Sequence, residues 1–112
     1  MKRFALFTAA AALSGTALAP VHAKESENET MMRQVAECGY VVSQAENEGV
    51  ALKHGAATWD SIVSQVSQGT GLDAKPYLEQ ARATYKRYER KMGADYAFKR
   101  LVNRANDCND QL

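Results

Sequence analysis

The chain has few of the residues on which small enzymes and metalloproteins depend. It contains two histidines, two cysteines and one tryptophan among 112 residues, and His54 is the only histidine after residue 23. One imidazole and two cysteines cannot form a closed zinc site from nitrogen and sulfur ligands. A Cys-x-x-Cys-His sequence for covalent haem attachment is also missing. The sequence therefore predicts no metal, no cofactor and no enzymatic activity.

The sequence also lacks residues that a serine catalytic triad or a b-type haem site would need. Ser61, Ser64 and Ser67 share one predicted helix, but no neighbouring base with an orienting acid accompanies them, so we interpret them as surface hydroxyls. A b-type bundle cytochrome would pair a methionine of the first helix, such as Met31, with a histidine of the last helix. No histidine follows His54.

Long apolar runs are scarce as well. The longest follows two basic residues at the N-terminus and covers residues 4–13, which is too short to cross a hydrocarbon layer about 30 Å thick. Small residues then mark a peptidase site, so the sequence predicts a signal peptide at 1–23. A competing cut after Ala19 would leave Pro20 next to the cleaved bond, which favours cleavage after Ala23. We therefore predict a periplasmic protein that does not span the membrane.

Cysteine usage is consistent with export. Cys38 and Cys108 are the only cysteines, and they lie near the two ends of the predicted mature domain. An exported chain with an even number of cysteines usually pairs them. We expect one disulfide, which stabilises a fold with so long a loop by about 4 kcal/mol in the chain-entropy account.

Apolar periodicity predicts helices throughout the mature chain. Residues 24–30 are polar and are expected to form a mobile lead-in to a single helical domain at 31–112. Ser26 and Thr30 are alternative N-caps of the first helix, which should end with Lys53 and His54 in its last turn, where the imidazole complements the helix dipole. Gly55 should then terminate it. Its apolar face consists of Met31, Val35, Cys38, Val42, Ala45, Gly49 and Leu52.

Three more helices follow in the same pattern. Thr58 is the expected N-cap of a short second helix that stops at Gly69–Gly71. A third helix should begin within Asp73–Pro76, and Gly93 should separate it from a fourth. The expected apolar sides are Trp59, Ile62, Val63 and Val66 in the second helix, Leu78, Ala81, Tyr85, Tyr88 and Met92 in the third, and Phe98, Leu101, Val102, Ala105 and Cys108 in the fourth.

The disulfide distinguishes this layout from an alternative in which one helix runs from Asp73 to Cys108 without a break at Gly93. Such a helix would be on the order of 50 Å long and would carry Cys108 away from Cys38 unless the first helix packed against its distal half. Four alternating helices place the two cysteines side by side. We therefore predict an all-α protein, a small antiparallel bundle of about four helices closed by one disulfide.

Charge is distributed unevenly along the chain. Residues 82–104 hold eight basic and two acidic side chains, whereas residues 24–79 hold four basic and nine acidic ones. Three cations recur at helical spacing along one side of the third helix, and two more occupy the adjoining side: Arg82, Lys86 and Arg90, then Arg87 and Lys91. We call these five residues the cationic ridge. It is a candidate site for an anionic partner.

The alternative is that these cations are only solvated and face Glu37, Glu46 and Glu48 across the bundle. Nucleic acid is not expected as a partner, because the protein is exported and its formal net charge is only +1. Acidic proteins, anionic lipid and lipopolysaccharide phosphates fit the compartment better. Trp59 is a further candidate for partner binding, since tryptophan is common in interface hot spots, but it also suits a central core position.

Export, helices, one disulfide and the lack of catalytic groups together indicate a non-enzymatic binding protein of the cell envelope. The layout of the helical domain with Cys38 and Cys108 resembles that of small periplasmic immunity proteins that neutralise type VI secretion amidase effectors. That resemblance implies a secreted toxin as partner and a homodimer as a candidate state, and it assigns no binding residue. An envelope stress or chaperone-like factor is the other alternative, although one histidine and a near-neutral charge give little to drive opening in acid.

Overall fold

The computed structural model describes residues 25–112, which form four helices and, within that range, no strand. The helices are α1 (Glu27–Asn47), α2 (Ala56–Thr70), α3 (Lys75–Met92) and α4 (Ala94–Asn109). This confirms the all-α prediction. The predicted signal peptide and its cleavage site lie outside the described residues.

Helix α1 begins at the earlier of the two predicted N-caps. The Ser26 hydroxyl accepts a hydrogen bond from the Glu29 amide at 3.1 Å, and the Glu29 carboxylate accepts one from the Ser26 amide at 2.9 Å. This reciprocal capping box satisfies two amides that the first turn leaves unpaired. The Glu25 carboxylate also accepts hydrogen bonds from Arg33, which lowers its pKa. Because Ser26 is the N-cap, helix α1 begins at Glu27 and residues 27–30 are helical. The predicted lead-in at 24–30 was therefore too long.

Helix α1 ends earlier than the apolar pattern predicted. Gly49 adopts φ +89°, and the Val50 amide donates to the Ala45 carbonyl at 3.0 Å while the Gly49 amide donates to that of Glu46. These two bonds form a Schellman motif, which a residue with positive φ makes possible. The predicted ending at Gly55 was wrong, because the periodicity continued through Gly49. His54 consequently lies in the connection between helices and does not complement a helix dipole.

The prediction for the start of helix α2 was also wrong. The helix begins at Ala56, two residues before the expected cap Thr58, and its Ala56 amide donates to the Glu46 carboxylate of α1 at 3.2 Å. A Cβ at Gly55 would clash with that carboxylate. A side chain from the preceding helix therefore supplies the cap that Gly55 lacks. The end of α2 at Thr70, before Gly71, agrees with the prediction.

Helices α3 and α4 follow the sequence prediction closely. Helix α3 begins with Pro76 in its first turn, and the Lys75 amide donates to the Asp73 carboxylate at 3.0 Å. Gly93 then takes φ +94° and ψ 159°, which interrupts the helix and lets α4 begin at Ala94. This excludes the continuous helix from Asp73 to Cys108.

Helix α1 occupies the centre of the bundle. It packs against α2, α3 and α4; α3 also packs on α4, whereas α2 packs mainly on α1. Tyr40 lies beside Tyr85 of α3, and Arg33, earlier in α1, shares a depression with Tyr77, so α1 and α3 run in the same direction. The core consists of Cys38, Val41, Val42, Ala45, Trp59, Tyr85, Leu101, Ala105 and Cys108.

Cys38 and Cys108 form the predicted disulfide, with an S–S distance of 2.07 Å and a Cα–Cα distance of 5.7 Å. Nearby, an Arg104 Nη2 atom lies 3.2 Å from a Glu37 carboxylate oxygen. Both contacts join the middle of α1 to the last turns of α4, whereas Gln44, later in α1, shares a depression with Ala97 and Phe98 near the start of α4. The two helices therefore run in opposite directions. The disulfide and the ion pair fix the α4 register on the central helix.

Some predicted core positions are exposed. Met31 on α1, Met92 on α3 and Phe98 on α4 were assigned to apolar faces but are 44%, 57% and 39% exposed, respectively. Met32, one position after Met31, is fully buried instead. Met92 ends α3 at the Gly93 turn, whereas Met31 and Phe98 lie within the first two turns of their helices, and Phe98 borders the depression beside Tyr40 and Lys86.

The disulfide joins residues 70 positions apart, which makes its contribution to stability testable. We expect replacement of both cysteines, Cys38→Ser with Cys108→Ser, to lower the free energy of unfolding by about 4 kcal/mol. The unfolded chain gains freedom once the loop opens. Urea unfolding followed by circular dichroism measures this difference. Equal midpoints for the wild-type protein and the double variant would contradict the prediction.

Two glycines provide a matched test of the end of α1. A Cβ at Gly49 or at Gly69 would meet no atom within 4 Å, but only Gly49 has positive φ. Gly49→Ala should therefore destabilise the protein by about 1–2 kcal/mol, through the backbone alone. Gly69→Ala, within α2, should stabilise it by about 0.5–1 kcal/mol. Thermal and urea unfolding of the two variants measure both values, and a shift in the same direction for both would refute this account.

Candidate binding surface

All five residues of the cationic ridge are exposed on α3. Among residues 25–112, the ridge makes one ion pair, in which Arg82 Nη1 lies 3.6 Å from the Glu79 carboxylate of the same helix. Both side chains of that pair are exposed, so water screens it strongly. The remaining four cations have no carboxylate of the described residues within ion-pair distance.

The glutamates that were expected to face the ridge lie elsewhere. Glu37 pairs with Arg104 of α4, and Glu46 accepts the first amide of α2. Glu48 is the exposed C-cap residue of α1. None of these carboxylates forms an ion pair with the ridge. The ridge is therefore not paired with these glutamates, and the alternative that its cations are only solvated stays open.

A tyrosine cluster lies behind α3, on the side that faces the bundle. The Tyr85 ring lies 6.1 Å from that of Tyr40 with an interplanar angle of 28°, and 5.4 Å from that of Tyr88 with an angle of 83°. The Arg100 guanidinium lies 4.6 Å from the centre of the Tyr88 ring, at a distance that suits a cation–π interaction. These contacts pack α3 against both α1 and α4 and hold the outward side of α3 in place.

Burial changes the ionisation of this cluster. Desolvation raises the pKa of Tyr85 to about 12, and it raises the pKa of Tyr40 as well. The phenol of Tyr85 therefore remains neutral over the physiological range and acts as a packing group. The sequence predicts Tyr85 and Tyr88 on the apolar side of α3. Their contacts with Tyr40 and Arg100 were not predicted, because these two residues belong to other helices.

Two open depressions border the tyrosine cluster. One, of about 150 Å³, has Tyr40, Lys86 and Phe98 in its lining. The other, of about 400 Å³, has Tyr88, Arg100 and Arg104 among its lining residues. Neither includes His54 or a serine. The first also includes Glu89 and the second Glu37 and Asp107, so both depressions offer aromatic, cationic and acidic groups to a ligand.

Trp59 is a core residue and not a surface anchor. It is only 3% exposed, and its indole N–H donates to the Asn109 side-chain oxygen at 2.7 Å. Asn109, itself 2% exposed, donates from Nδ2 to the His54 carbonyl at 3.0 Å. The candidate role of Trp59 in partner binding is therefore withdrawn, and Asn109, which the sequence did not single out, connects α2 and the preceding loop to the end of α4.

Comparison with protein-family models, curated proteins and solved structures finds no match to this chain. Within residues 25–112, no helix has both the length and the apolar composition needed to cross a membrane. The same residues contain no group of three or more histidine, cysteine or acidic side chains suited to holding a metal ion. We therefore infer the function from the charge and geometry of the surface.

The tyrosine cluster predicts a loss of stability at alkaline pH. An unfolded tyrosine ionises near pH 10, whereas Tyr85 in the folded protein has a pKa of about 12. Its contribution is complete below pH 10 and decreases as the pH rises towards 12, by about 2 kcal/mol. Tyr85→Phe should remove this part of the pH dependence, because phenylalanine does not ionise.

Urea unfolding between pH 8 and pH 12 measures the effect, with Tyr96→Phe as the control. Tyr96 is 42% exposed, so its replacement should leave the alkaline loss of stability unchanged. Parallel pH profiles for the wild-type protein and Tyr85→Phe would contradict the assignment of this loss to Tyr85.

Proposed function

We propose that the protein is a small, exported, non-enzymatic protein of the cell envelope that binds a protein or another anionic partner through the cationic ridge of α3. The observation that carries this proposal is the exposure of all five cations on one helix, with one intramolecular ion pair among the described residues. Glu37 and Glu46 of α1 are engaged in contacts with α4 and α2.

The ridge has an energetic cost for the isolated domain. Like charges spaced four positions apart on a helix destabilise it by about 0.2–0.5 kcal/mol per pair, and Arg82, Lys86 and Arg90 form two such pairs. Arg90 and Lys91 recover part of this cost because they lie in the last turn of α3, where they complement the helix dipole. Arg82, Lys86 and Arg87 have no such role. An external anion would account for their charge.

Export is supported by the oxidised pair Cys38 and Cys108, since disulfides persist mainly in oxidising compartments. A binding role without catalysis is supported by the position of His54. No carboxylate of the described residues pairs with it, and it lines neither depression beside the tyrosine cluster. The partner, in this proposal, is recognised by charge and by the rigid presentation of that charge on one helix.

Charge reversal tests the ridge. We expect Lys86→Glu with Arg90→Glu to weaken partner binding by at least tenfold and to make the remaining affinity less dependent on salt, because long-range attraction to the anion is lost. The measurement is a pull-down from envelope extract with the oxidised protein, followed by identification of the captured protein and titration of the purified pair at several salt concentrations.

The control carries the same change in net charge at other exposed sites, Lys53→Glu with Lys75→Glu. It should retain the affinity of the wild-type protein. Equal losses for the two variants would show a nonspecific charge effect, and no loss for either would return the ridge to a solvated surface. Capture of a secreted amidase in this experiment would favour the immunity alternative.

A further inference from the structure

Exposed apolar side chains are concentrated at one end of the molecule. Five large apolar residues of the described range are exposed, and three of them lie within seven positions, around the Gly93 turn. Their exposed fractions are 57% for Met92, 42% for Tyr96 and 39% for Phe98. We call these three residues the apolar tip. Met92 and Tyr96 flank the Gly93 turn, and Phe98 borders the depression beside Tyr40 and Lys86. Large apolar side chains exposed near the turn of a helical hairpin indicate a surface that meets a partner.

Cations surround the apolar tip on both helices. Arg90 and Lys91 end α3, and Lys99 and Arg100 follow the first turn of α4; all four are exposed. Residues 86–100 contain six basic and two acidic side chains, Glu89 and Asp95. Apolar and aromatic side chains set among lysines and arginines are the combination that enters the headgroup region of an anionic bilayer.

We propose that the partner is the surface of an anionic phospholipid bilayer, which Arg90 and Lys91 at the end of the cationic ridge contact when the hairpin docks end-on with the apolar tip inserted among the headgroups. This inference rests on the proposed anion-binding function and specifies its partner. An acidic protein would satisfy the cations, but a charged surface offers no apolar environment to Met92 and Phe98. A headgroup layer supplies phosphate and apolar acyl boundary together, at the depth that such side chains reach.

End-on docking places the ridge cations at different distances from the bilayer. With a rise of about 1.5 Å per residue, Arg90 lies roughly 3 Å from Met92 along the axis of α3, whereas Arg82 lies roughly 15 Å away. The Debye length at physiological salt is about 8 Å, so charges near the tip feel the bilayer and those near the start of the ridge are screened from it. A partner lying along the ridge would contact both ends of it equally.

Cosedimentation with vesicles tests the docking. The probes are phosphatidylcholine vesicles with and without phosphatidylglycerol, and the oxidised protein is used as purified, so that wild type and variants share the same N-terminal residues. We expect binding only to the anionic vesicles. Met92→Gln with Phe98→Gln should weaken it on the order of tenfold, while Met31→Gln should not. Met31 is 44% exposed at the start of α1, which lies at the opposite end of the bundle.

A second pair of variants tests the orientation. Arg90→Gln with Lys91→Gln should weaken vesicle binding several-fold more than Arg82→Gln with Lys86→Gln, although the charge change is the same. For insertion, vesicles with brominated lipid should quench the fluorescence of Met92→Trp and leave that of Met31→Trp unchanged. The native Trp59 is buried and contributes a constant background.

Three results would overturn the lipid assignment: equal loss for the two charge pairs, equal quenching at positions 92 and 31, or binding to polyglutamate that matches vesicle binding and ignores the tip variants. The last result would identify an acidic protein as the partner. If vesicles fail but the pull-down still depends on Lys86 and Arg90, only the lipid assignment falls. If neither depends on the ridge, the proposed anion-binding function falls as well.

Discussion

Helix α1 occupies the centre of the bundle formed by residues 25–112 and packs against the other three helices, and its covalent bond to α4 through Cys38 and Cys108 sets how the bundle closes. The buried interior of these residues is thin, since the largest side chains that are fully buried are those of Met32, Val41, Val42 and Cys108. A domain with so small a core depends on constraints that restrict the unfolded chain or satisfy buried polar groups. The disulfide provides the first kind of constraint.

The second kind of constraint consists of two hydrogen bonds made by the buried side chain of Asn109, next to the disulfide. Asn109 follows Cys108 directly, and it accepts the Trp59 indole proton while donating to the His54 carbonyl. Helix α2 packs mainly on α1, so this buried side-chain contact connects it to the end of α4. Buried donors that lose their partners cost about 1–3 kcal/mol each, which makes this contact specific as well as stabilising.

The same arrangement determines which surfaces are left for function. Because α1 takes the central position, α3 uses one side for α1 and α4 and leaves its outer side in water, where the cationic ridge lies. Gly93 turns the chain sharply between α3 and α4, and the side chains of Met92 and Tyr96 next to this turn are exposed. The charged side and the apolar tip are therefore consequences of the same topology, and we propose that they act on the same anionic surface.

The sequence by itself determined the helical class, the disulfide, the break at Gly93 and the places of the ridge cations on α3. These features follow from local rules of periodicity, glycine conformation and cysteine pairing that act within a few residues or on a unique pair. It misplaced the end of α1 and the cap of α2, because Gly49 continued the apolar pattern and Glu46 acts across helices. Only the tertiary structure decided that Trp59 is internal, that Glu37 binds Arg104 and that Met92 and Phe98 are exposed, since each of these depends on which helix lies opposite.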